Sequence, residues 1–389
     1  MTLRLITAGE SHGPGLTCLL EGLPAGLELT AEDLNRDMAR RQLGHGRGGR
    51  MKIEKDTAQV TAGVRHGLTL GGPIALRVEN RDYANWEERM SPWPVDGDIA
   101  EVHLPRPGHA DLVGTQKYKQ TDVRNILERA SARETAARVA GGGLCKAFLA
   151  ALGVQVRSHV IQITSVHAPV NERALTLEDF AAVDESPVRC LDAEAGRAMV
   201  AEINTLRKAN ESLGGVFEVQ AFGLVPGLGS HVSWEERLDG RLAMAILSIQ
   251  ALKGVAIGDG FQIAGVPGSQ AHDEIFYSEQ RGYYRETNRS GGLEGGMTNG
   301  EPLIVRGAMK PLPTLTRPLR SVDIATHDPT EALRERTDSC TVPAAGVVGE
   351  AMVALVLADA YRRKFGGDHI DDVREALDAY RWRIGWPSL

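Results

Sequence analysis

The segment AGVVGEAMVALVLADAYRRK, at residues 345–364, predicts a long helix of an unusual kind. Small or apolar side chains occupy nearly every position, so they cover all faces of a helix that turns once every ~3.6 residues. A helix without a polar face is not suited to a protein surface. We therefore expect this helix to be buried on several sides.

Two other segments have the same character. Residues 127–152 are rich in alanine, and residues 238–253 combine small side chains with large apolar ones. Both segments are predicted to form buried helices. Residues 371–382 are instead amphipathic and more polar, which predicts a helix on the surface.

Strands are predicted between these helices, in runs rich in β-branched residues and bounded by turn-forming residues. The runs are residues 3–8, 59–64, 72–78, 154–163, 215–222 and 302–306. Several runs alternate apolar with polar side chains, which indicates antiparallel sheets with one face exposed to water. Buried helices beside such sheets predict a layered sandwich with the helices inside. No linker or internal repeat divides the chain, so we expect one domain over residues 1–389.

Composition restricts the class of protein. The chain has 389 residues and a net charge of −7, which disfavours charge-driven binding to nucleic acid or to an acidic membrane surface. Its first residues lack the layout of a secretion signal, and no run approaches the ~18 apolar residues of a membrane span. The four cysteines are far apart and lack metal-ligand spacing. We therefore expect a cytoplasmic protein whose cysteines are buried thiols.

A basic segment at residues 36–55 contrasts with this acidic background. It holds seven arginine or lysine residues against two acidic ones, and four glycines interrupt it. Glycine lets the backbone approach a ligand closely, so the segment predicts an anion site. RNA binding is a rival interpretation, weakened because no aromatic side chain lies in the segment to stack on bases.

Two histidines lie in glycine-bounded turns beside predicted strand ends. His12 belongs to GESHG at residues 9–13, and His109 belongs to RPGHAD at residues 106–111. Protonatable groups in such turns can reach a ligand. A further glycine-rich segment, GGLEGGMTNG at residues 291–300, can bind phosphate through backbone N–H groups, although it matches neither the dinucleotide fingerprint nor the P-loop.

Residues 9–13 also match G-x-S-x-G, the nucleophile elbow of serine hydrolases. An elbow requires a following helix, whereas residues 14–21 predict a turn and a strand. The HExxH metal motif is absent from the sequence, and no metal site is predicted. Arginine-rich loops, two loop histidines and no evident nucleophile favour a small polyanionic substrate and a phosphate-bearing cofactor over covalent catalysis.

Beyond these patterns, the chain resembles the chorismate synthase family nearly from end to end. The matching motifs follow the family's order, at residues 9–13, 47–56, 106–111, 128–138, 248–254, 258–261, 272–274, 287–301 and 336–344. The fold implied by the resemblance is of the α+β class, a β-α-β sandwich with buried Ala-rich helices between antiparallel sheets. It agrees with the layered sandwich predicted from the residues.

The resemblance implies a lyase of the shikimate pathway. Such an enzyme eliminates phosphate from 5-enolpyruvylshikimate 3-phosphate in an anti-1,4 sense to give chorismate. Reduced FMN (FMNH2) is the implied cofactor, which lends electron density while phosphate leaves and recovers it as hydrogen is lost. The phosphates and carboxylates of these two ligands suit arginine, whose planar fork binds oxyanions in pairs. A homotetramer is also implied, and the FMN is reduced either with NADPH by the enzyme itself or, as we expect here, by an external flavin reductase.

The family's site residues carry over onto matching positions of this sequence. His12 resembles the general acid that protonates the departing phosphate, His109 the histidine that manages the charge of the reduced flavin, and Asp338 the carboxylate that accepts a proton through flavin N5. Positions that resemble flavin contacts are Arg129, Ala130, Ser131, Gln250, Ala251, Gly295, Lys310, Pro311, Leu312, Pro313, Thr314 and Arg336. Arg41 and Arg47 resemble positions assigned to an anionic ligand, either the substrate or NADPH. The family usually has serine where Pro313 stands, so one hydroxyl is missing from the implied flavin phosphate site.

Overall fold

The computed structural model describes residues 2–49, 53–169, 175–335 and 337–386. The α-helices are α1 (Ala31–Gln42), α2 (Asp111–Tyr118), α3 (Arg124–Ala130), α4 (Thr135–Ala150), α5 (Ala193–Lys208), α6 (Leu238–Leu247), α7 (Gly268–Ala271), α8 (Val342–Phe365) and α9 (Ile370–Arg383). The longer strands are β1 (Arg4–Ala8), β2 (Gly15–Glu21), β3 (Ala58–Ala62), β6 (Ile74–Glu79), β7 (Gln155–Ile163), β9 (Gly215–Phe222), β10 (Leu252–Ile257), β11 (Ile275–Ser278), β12 (Gly282–Arg285) and β15 (Leu303–Met309). The short strands are β4 (Val64–Arg65), β5 (Leu68–Thr69), β8 (Val166–His167), β13 (Leu293–Glu294), β14 (Met297–Thr298), β16 (Arg320–Val322) and β17 (Pro329–Glu331).

Two antiparallel sheets form the outer layers. The first has the strand order β1-β2-β6-β3, and the second has the order β10-β15-β9-β7-β8. Alternation sets which face of a strand is buried: in β2, Leu16, Cys18 and Leu20 are buried, whereas the side chains between them are more exposed. Successive side chains of a strand point to opposite faces, so the buried set lies on one side of the sheet.

Helices fill the space between the sheets. Helix α4 packs against β2 and β6 of the first sheet, α8 packs against β7 and β9 of the second, and α4 and α8 pack against each other. Glycine permits this close approach: a Cβ at Gly142 of α4 would lie 2.3 Å from the Cβ of Ala351 on α8. The predicted α+β sandwich with buried helices is confirmed. A shared cluster of buried apolar side chains runs from Leu3 to Leu377 and supports the prediction of one domain, which stays a prediction.

Helix α8 is the helix predicted from residues 345–364, and it is buried as expected. By length and composition alone it could cross a membrane, with a mean hydropathy of 1.7. However, 94% of that apolar window is buried inside the protein. Burial between two sheets is the environment of a core helix, which passes the same test of composition.

A balanced ion cluster crosses the helical layer. Glu350 of α8 is 0% exposed and contacts Arg40 of α1 at 2.9 Å, Lys146 of α4 at 2.6 Å and Arg189 at 3.3 Å. Asp37 and Asp184 supply the other negative charges. The part of the basic segment that contains Arg40 is therefore in a helix and in the core, whereas the sequence analysis interpreted the whole segment as an anion site.

The predicted ends of two helices were wrong, and both errors lie where the chain leaves the helical conformation. The helix predicted over residues 127–152 is interrupted at Ser131, which is extended with φ −63° and ψ 142°. The helix predicted over residues 238–253 ends at Leu247, and Ala251 just after it has φ +67°. The strand runs and the surface helix near residues 371–382 are confirmed, with small shifts in their ends.

Candidate active site

A cavity of about 760 Å³ lies where α4 and α8 begin. Thr135 at the start of α4 and Ala344 near the start of α8 both line it. The amino ends of helices carry partial positive charge, which favours an anionic ligand. Much of the rest of the wall comes from loops, including the turns that hold His12 and His109 and the break at Ser131, and α1 and α3 also contribute side chains.

His12 is held by a carboxylate from a distant part of the chain. Its Nδ1 lies 3.0 Å from Oε1 of Glu128, and its backbone N–H donates to Oε2 of the same residue at 2.9 Å. The indole of Trp86 stacks on the imidazole, with 4.1 Å between the ring centroids. Burial raises the pKa of Glu128, but the hydrogen bonds from His12 outweigh it and hold that pKa below its usual value. A charged Glu128 orients the ring and makes Nε2 the other position at which it can exchange a proton.

His109 has a similar arrangement within its own turn. Its Nδ1 hydrogen-bonds Oδ1 of Asp111, a fully buried carboxylate. Arg106 binds the same carboxylate through Nε at 2.8 Å. Burial raises the pKa of Asp111, but the hydrogen bonds from His109 and Arg106 lower it to about 2. Both cavity histidines therefore present an oriented ring backed by an ionised carboxylate.

Arginines of the basic segment and of the Ser131 break form one wall. Arg41 and Arg133 share Asp56, at 3.2 Å and 2.5 Å, and Arg47 contacts Oδ2 of Asp338 at 3.0 Å. Burial is the main cause that lowers the pKa of Arg41, to about 9; the charges of Arg133 and Arg47 act in the same direction, and that of Asp56 opposes them. This wall carries more positive than negative charge, so a bound anion would stabilise it.

Other polar groups at the cavity are suited to a second ligand. Lys310 donates from Nζ to the carbonyl of Gly108 at 2.7 Å, and burial together with the charge of Lys253 lowers its pKa. Gln250 donates to Glu134 at 3.0 Å, whereas its Oε1 is buried without a hydrogen-bond partner among the described residues. A buried carbonyl oxygen in this state is costly unless a ligand donates to it.

Most of the predicted site residues meet at this cavity. Those in its wall are His12, Arg41, Arg47, His109, Ala130, Ser131, Gln250, Ala251, Lys310, Leu312, Pro313, Thr314 and Asp338.

Three other predicted residues are not in the cavity wall. Pro311 lies between wall residues, and Gly295 lies in the β13–β14 hairpin. Arg129 turns to the carbonyl of Thr7 at 2.8 Å and lines a neighbouring, smaller cavity. The glycine-rich segment at residues 291–300 therefore contains a β-hairpin and does not line this wall. Arg336 lies outside the described residues.

The wall also contains residues that the sequence did not single out. These are Trp86, Arg106, Arg124, Arg133 and Glu335. Arg124 had a detectable signal, since it lies one helical turn before Glu128 and contacts it at 2.7 Å. Trp86 had none, because nothing in its surrounding sequence indicates that its ring reaches His12.

Two alternatives from the sequence fail on this geometry. Ser11 is only 3% exposed, and the chain continues from it into β2 and not into a helix, so the nucleophile elbow is excluded. Among the described residues of the wall, Trp86 is the one aromatic side chain besides the histidines, and it stacks on His12, so the wall lacks a series of aromatic side chains for base stacking. Within residues 2–49, 53–169, 175–335 and 337–386, no three His, Cys, Asp or Glu side chains are grouped to hold a metal ion.

Comparison with known proteins agrees with this arrangement. The family model for chorismate synthase matches residues 3–361. Chorismate synthase of Syntrophotalea carbinolica is 57% identical over 97% of each chain, and that of Bacillus subtilis is 53% identical over 97% of this chain and 98% of the relative. A crystal structure of chorismate synthase superposes with a TM-score of 0.80 at 43% identity, covering 99% of this chain and 98% of the other. The chain therefore belongs to the chorismate synthase family and is a lyase.

Proposed function

We propose that this chain eliminates phosphate from 5-enolpyruvylshikimate 3-phosphate in an anti-1,4 sense to give chorismate, and that the reaction depends on reduced FMN. The observation that carries the proposal is the pairing of His12 and His109 with buried carboxylates at one cation-rich cavity. Such rings can donate a proton at a defined position while the surrounding cations hold the anionic reactants.

The charges of the cavity suit the proposed substrate. Seven arginine or lysine side chains and two carboxylates line it, counted over the described residues. The substrate carries one phosphate and two carboxylates, so its binding offsets the repulsion among these cations. Arg41 and Arg47 are the candidates for one of these anionic groups or for NADPH. Both arginines are ion-paired, Arg41 with Asp56 and Arg47 with Asp338, so either would bind the anion in addition to its carboxylate.

The cavity also suits a flavin beside the substrate. The unpartnered Oε1 of Gln250 can accept from a ring N–H, and Lys310 and Thr314 are placed at the wall for a phosphate. When bound, reduced FMN supplies the electron density that lets phosphate leave and recovers it as hydrogen is lost. Pro313 leaves the backbone, Lys310 and Thr314 to hold the flavin phosphate without the serine hydroxyl common in the family.

The roles of the protonatable residues follow from their partners. His12, oriented by Glu128 and covered by Trp86, donates a proton to the departing phosphate. His109, held by Asp111, balances the charge of the reduced cofactor. Asp338 is held between Arg47 and the backbone N–H of Gly48, which keeps its carboxylate at the wall as a proton acceptor.

We further infer from the family that the protein is a cytoplasmic homotetramer of single-domain subunits. An external flavin reductase is the expected source of electrons. Sedimentation of the purified protein and an assay with NADPH alone test these two inferences. A tetramer that makes no chorismate with NADPH and FMN, but does with chemically reduced FMN, is the expected result.

An anaerobic assay tests the reaction itself. The protein is mixed with substrate and dithionite-reduced FMN, and chorismate absorbance and released phosphate are followed together. We expect equal amounts of both products, and none when FMN is omitted or oxidised. Phosphate release without flavin would indicate a hydrolase and contradict the proposal.

A further inference from the structure

Glu335 lies between two arginines of the cavity that belong to different histidine pairs. Its Oε2 is 3.4 Å from Arg106, which backs Asp111 and His109, and its Oε1 is 3.4 Å from Arg124, which backs Glu128 and His12. Its side chain is 22% exposed. Glu335 and Asp338 are the carboxylates that line the cavity, within the part of the chain that the structure describes.

The two arginines are held in place without Glu335. Arg106 contacts Asp111 at 2.8 Å and Thr314 at 3.0 Å, and Arg124 contacts Glu128 at 2.7 Å. These bonds are shorter than the 3.4 Å contacts to Glu335, and their carboxylates are buried. Removal of Glu335 would therefore leave both guanidinium groups in position, with donors directed at the place that its carboxylate had occupied.

Of the carboxylates that contact Arg106 and Arg124, Glu335 is the one best able to move. It lies in residues 332–335, which follow β17 and form neither helix nor strand, whereas Asp111 and Glu128 belong to helices. Long contacts to a partly exposed carboxylate are weak ones. An oxyanion that enters the cavity can thus replace this carboxylate at little cost.

We propose that Glu335 is an internal stand-in for an anionic ligand group, held between Arg106 and Arg124 until a phosphate or carboxylate displaces it. The position between these arginines is then an oxyanion subsite. Only the identity of its natural occupant rests on the proposed function, since the substrate and FMN both carry suitable groups.

Removal of the charge at constant shape tests the proposal. In the protein without FMN, Glu335→Gln should bind inorganic phosphate roughly 2- to 30-fold more tightly by calorimetry, the range that the loss of two partly exposed ion pairs supports. Asp328→Asn is the matched control, because it removes an exposed carboxylate in the same part of the chain that does not line the cavity. A merely structural role for Glu335 would leave phosphate affinity unchanged or weaken it.

Two further measurements locate the bound phosphate and identify which ligand occupies the subsite. The gain should largely disappear in an Arg124→Gln background, and a gain that persists there would overturn the proposal. FMN titration and the KM for substrate, each measured in Glu335→Gln, show which ligand uses the subsite. No gain in affinity for phosphate, FMN or substrate relative to Asp328→Asn would also overturn it. Failure of the proposed function would appear separately, as a wild-type protein that makes no chorismate.

Discussion

A buried carboxylate restricts the imidazole of each cavity histidine to one orientation. For His109 that carboxylate is Asp111, two residues away in the same turn. For His12 it is Glu128, which is 116 residues away on α3. The first pair is visible in the sequence as a local motif, whereas the second exists only because the fold brings α3 beside the loop after β1.

Replacement of His12 tests its role as the acid. His12→Ala should lower the rate of the saturated reaction by about 10²–10⁴-fold, the usual contribution of a positioned general acid. FMN affinity should change little, because the proposed flavin contacts are on other loops. The measurement is the anaerobic chorismate assay with a parallel FMN titration, and exposed His167→Ala is the control. Wild-type turnover with normal FMN binding would remove His12 from the chemistry.

Trp86 should act through His12. Trp86→Ala removes the ring stacked on the imidazole, a contact of about 0.5–1.5 kcal/mol, so turnover should fall about 2- to 10-fold. Trp86→Phe should retain most of the activity, because it keeps an aromatic face. Trp93, 77% exposed in the same part of the chain, supplies the control Trp93→Ala. If Trp86→Ala were as active as Trp93→Ala, the stacking on His12 would be incidental to catalysis.

At the scale of elements, the ends of the helices are what form the site. The sequence of residues 127–152 favours one continuous helix, but the chain extends at Ser131 and places Ala130, Ser131 and Arg133 at the cavity. The other predicted helix ends at Leu247, and the turn at Ala251 after it, with its positive φ, also lies at the cavity wall. A non-glycine residue in this conformation is strained and persists where the surroundings hold it, often at functional sites.

The contact between α4 and α8 depends on Gly142. Gly142→Ala would place a Cβ 2.7 Å from the backbone Cα of Ala351, so the helices would have to separate. We expect a loss of about 1–3 kcal/mol in the free energy of unfolding, measured by urea denaturation. Gly240→Ala in α6 is the control, since its nearest neighbouring atom is 3.9 Å away and a helical alanine is favourable there. Equal stability of the two variants would show that the layer has room to adjust.

At the scale of the whole molecule, the ion cluster around Glu350 ties α1, α4 and α8 to the second sheet. Ser158 of β7 donates to Glu350 at 2.6 Å, in addition to the three cations that surround it. Three acidic and three basic side chains make the cluster neutral. A neutral, fully paired cluster is tolerated in a core, but the loss of any one member leaves an uncompensated charge.

This cluster predicts how stability depends on pH. Burial raises the pKa of Glu350, but Arg40 and Lys146 hold it well below its ordinary value of 4.5. A carboxylate with a depressed pKa in the folded state stabilises the protein above the unfolded pKa, and this contribution is lost as the pH falls through and below that value. The free energy of unfolding should therefore be steady near neutral pH and should decrease below about pH 4.5.

Glu350→Gln isolates this contribution. The variant should lose about 3–5 kcal/mol of unfolding free energy at pH 7, and its deficit relative to the wild type should narrow as the pH falls. Urea denaturation between pH 7 and pH 2 measures both effects, with exposed Glu375→Gln as the control. A deficit that stayed constant over this range would assign the effect to packing and not to charge.

Much of the architecture was determined by local sequence. A helix with apolar side chains on every face had to be buried, and strands with alternating side chains had to expose one face, so the layered sandwich follows from these two patterns. The turns that carry His12 and His109 were also apparent, because glycine-bounded polar residues at strand ends are a local feature. The resemblance then named thirteen of the residues that line the cavity.

Only the tertiary structure decided which residues of the basic segment lie in the core and which reach the cavity. Arg40 and Arg41 are adjacent in the same basic segment, yet Arg40 pairs with Glu350 in the core and Arg41 reaches the cavity. Successive helical side chains point about 100° apart, so a sequence window that counts charge cannot tell which face meets which partner. Glu128 and Glu335 were undetected for the same reason, since their partners are brought to them by the packing of distant elements.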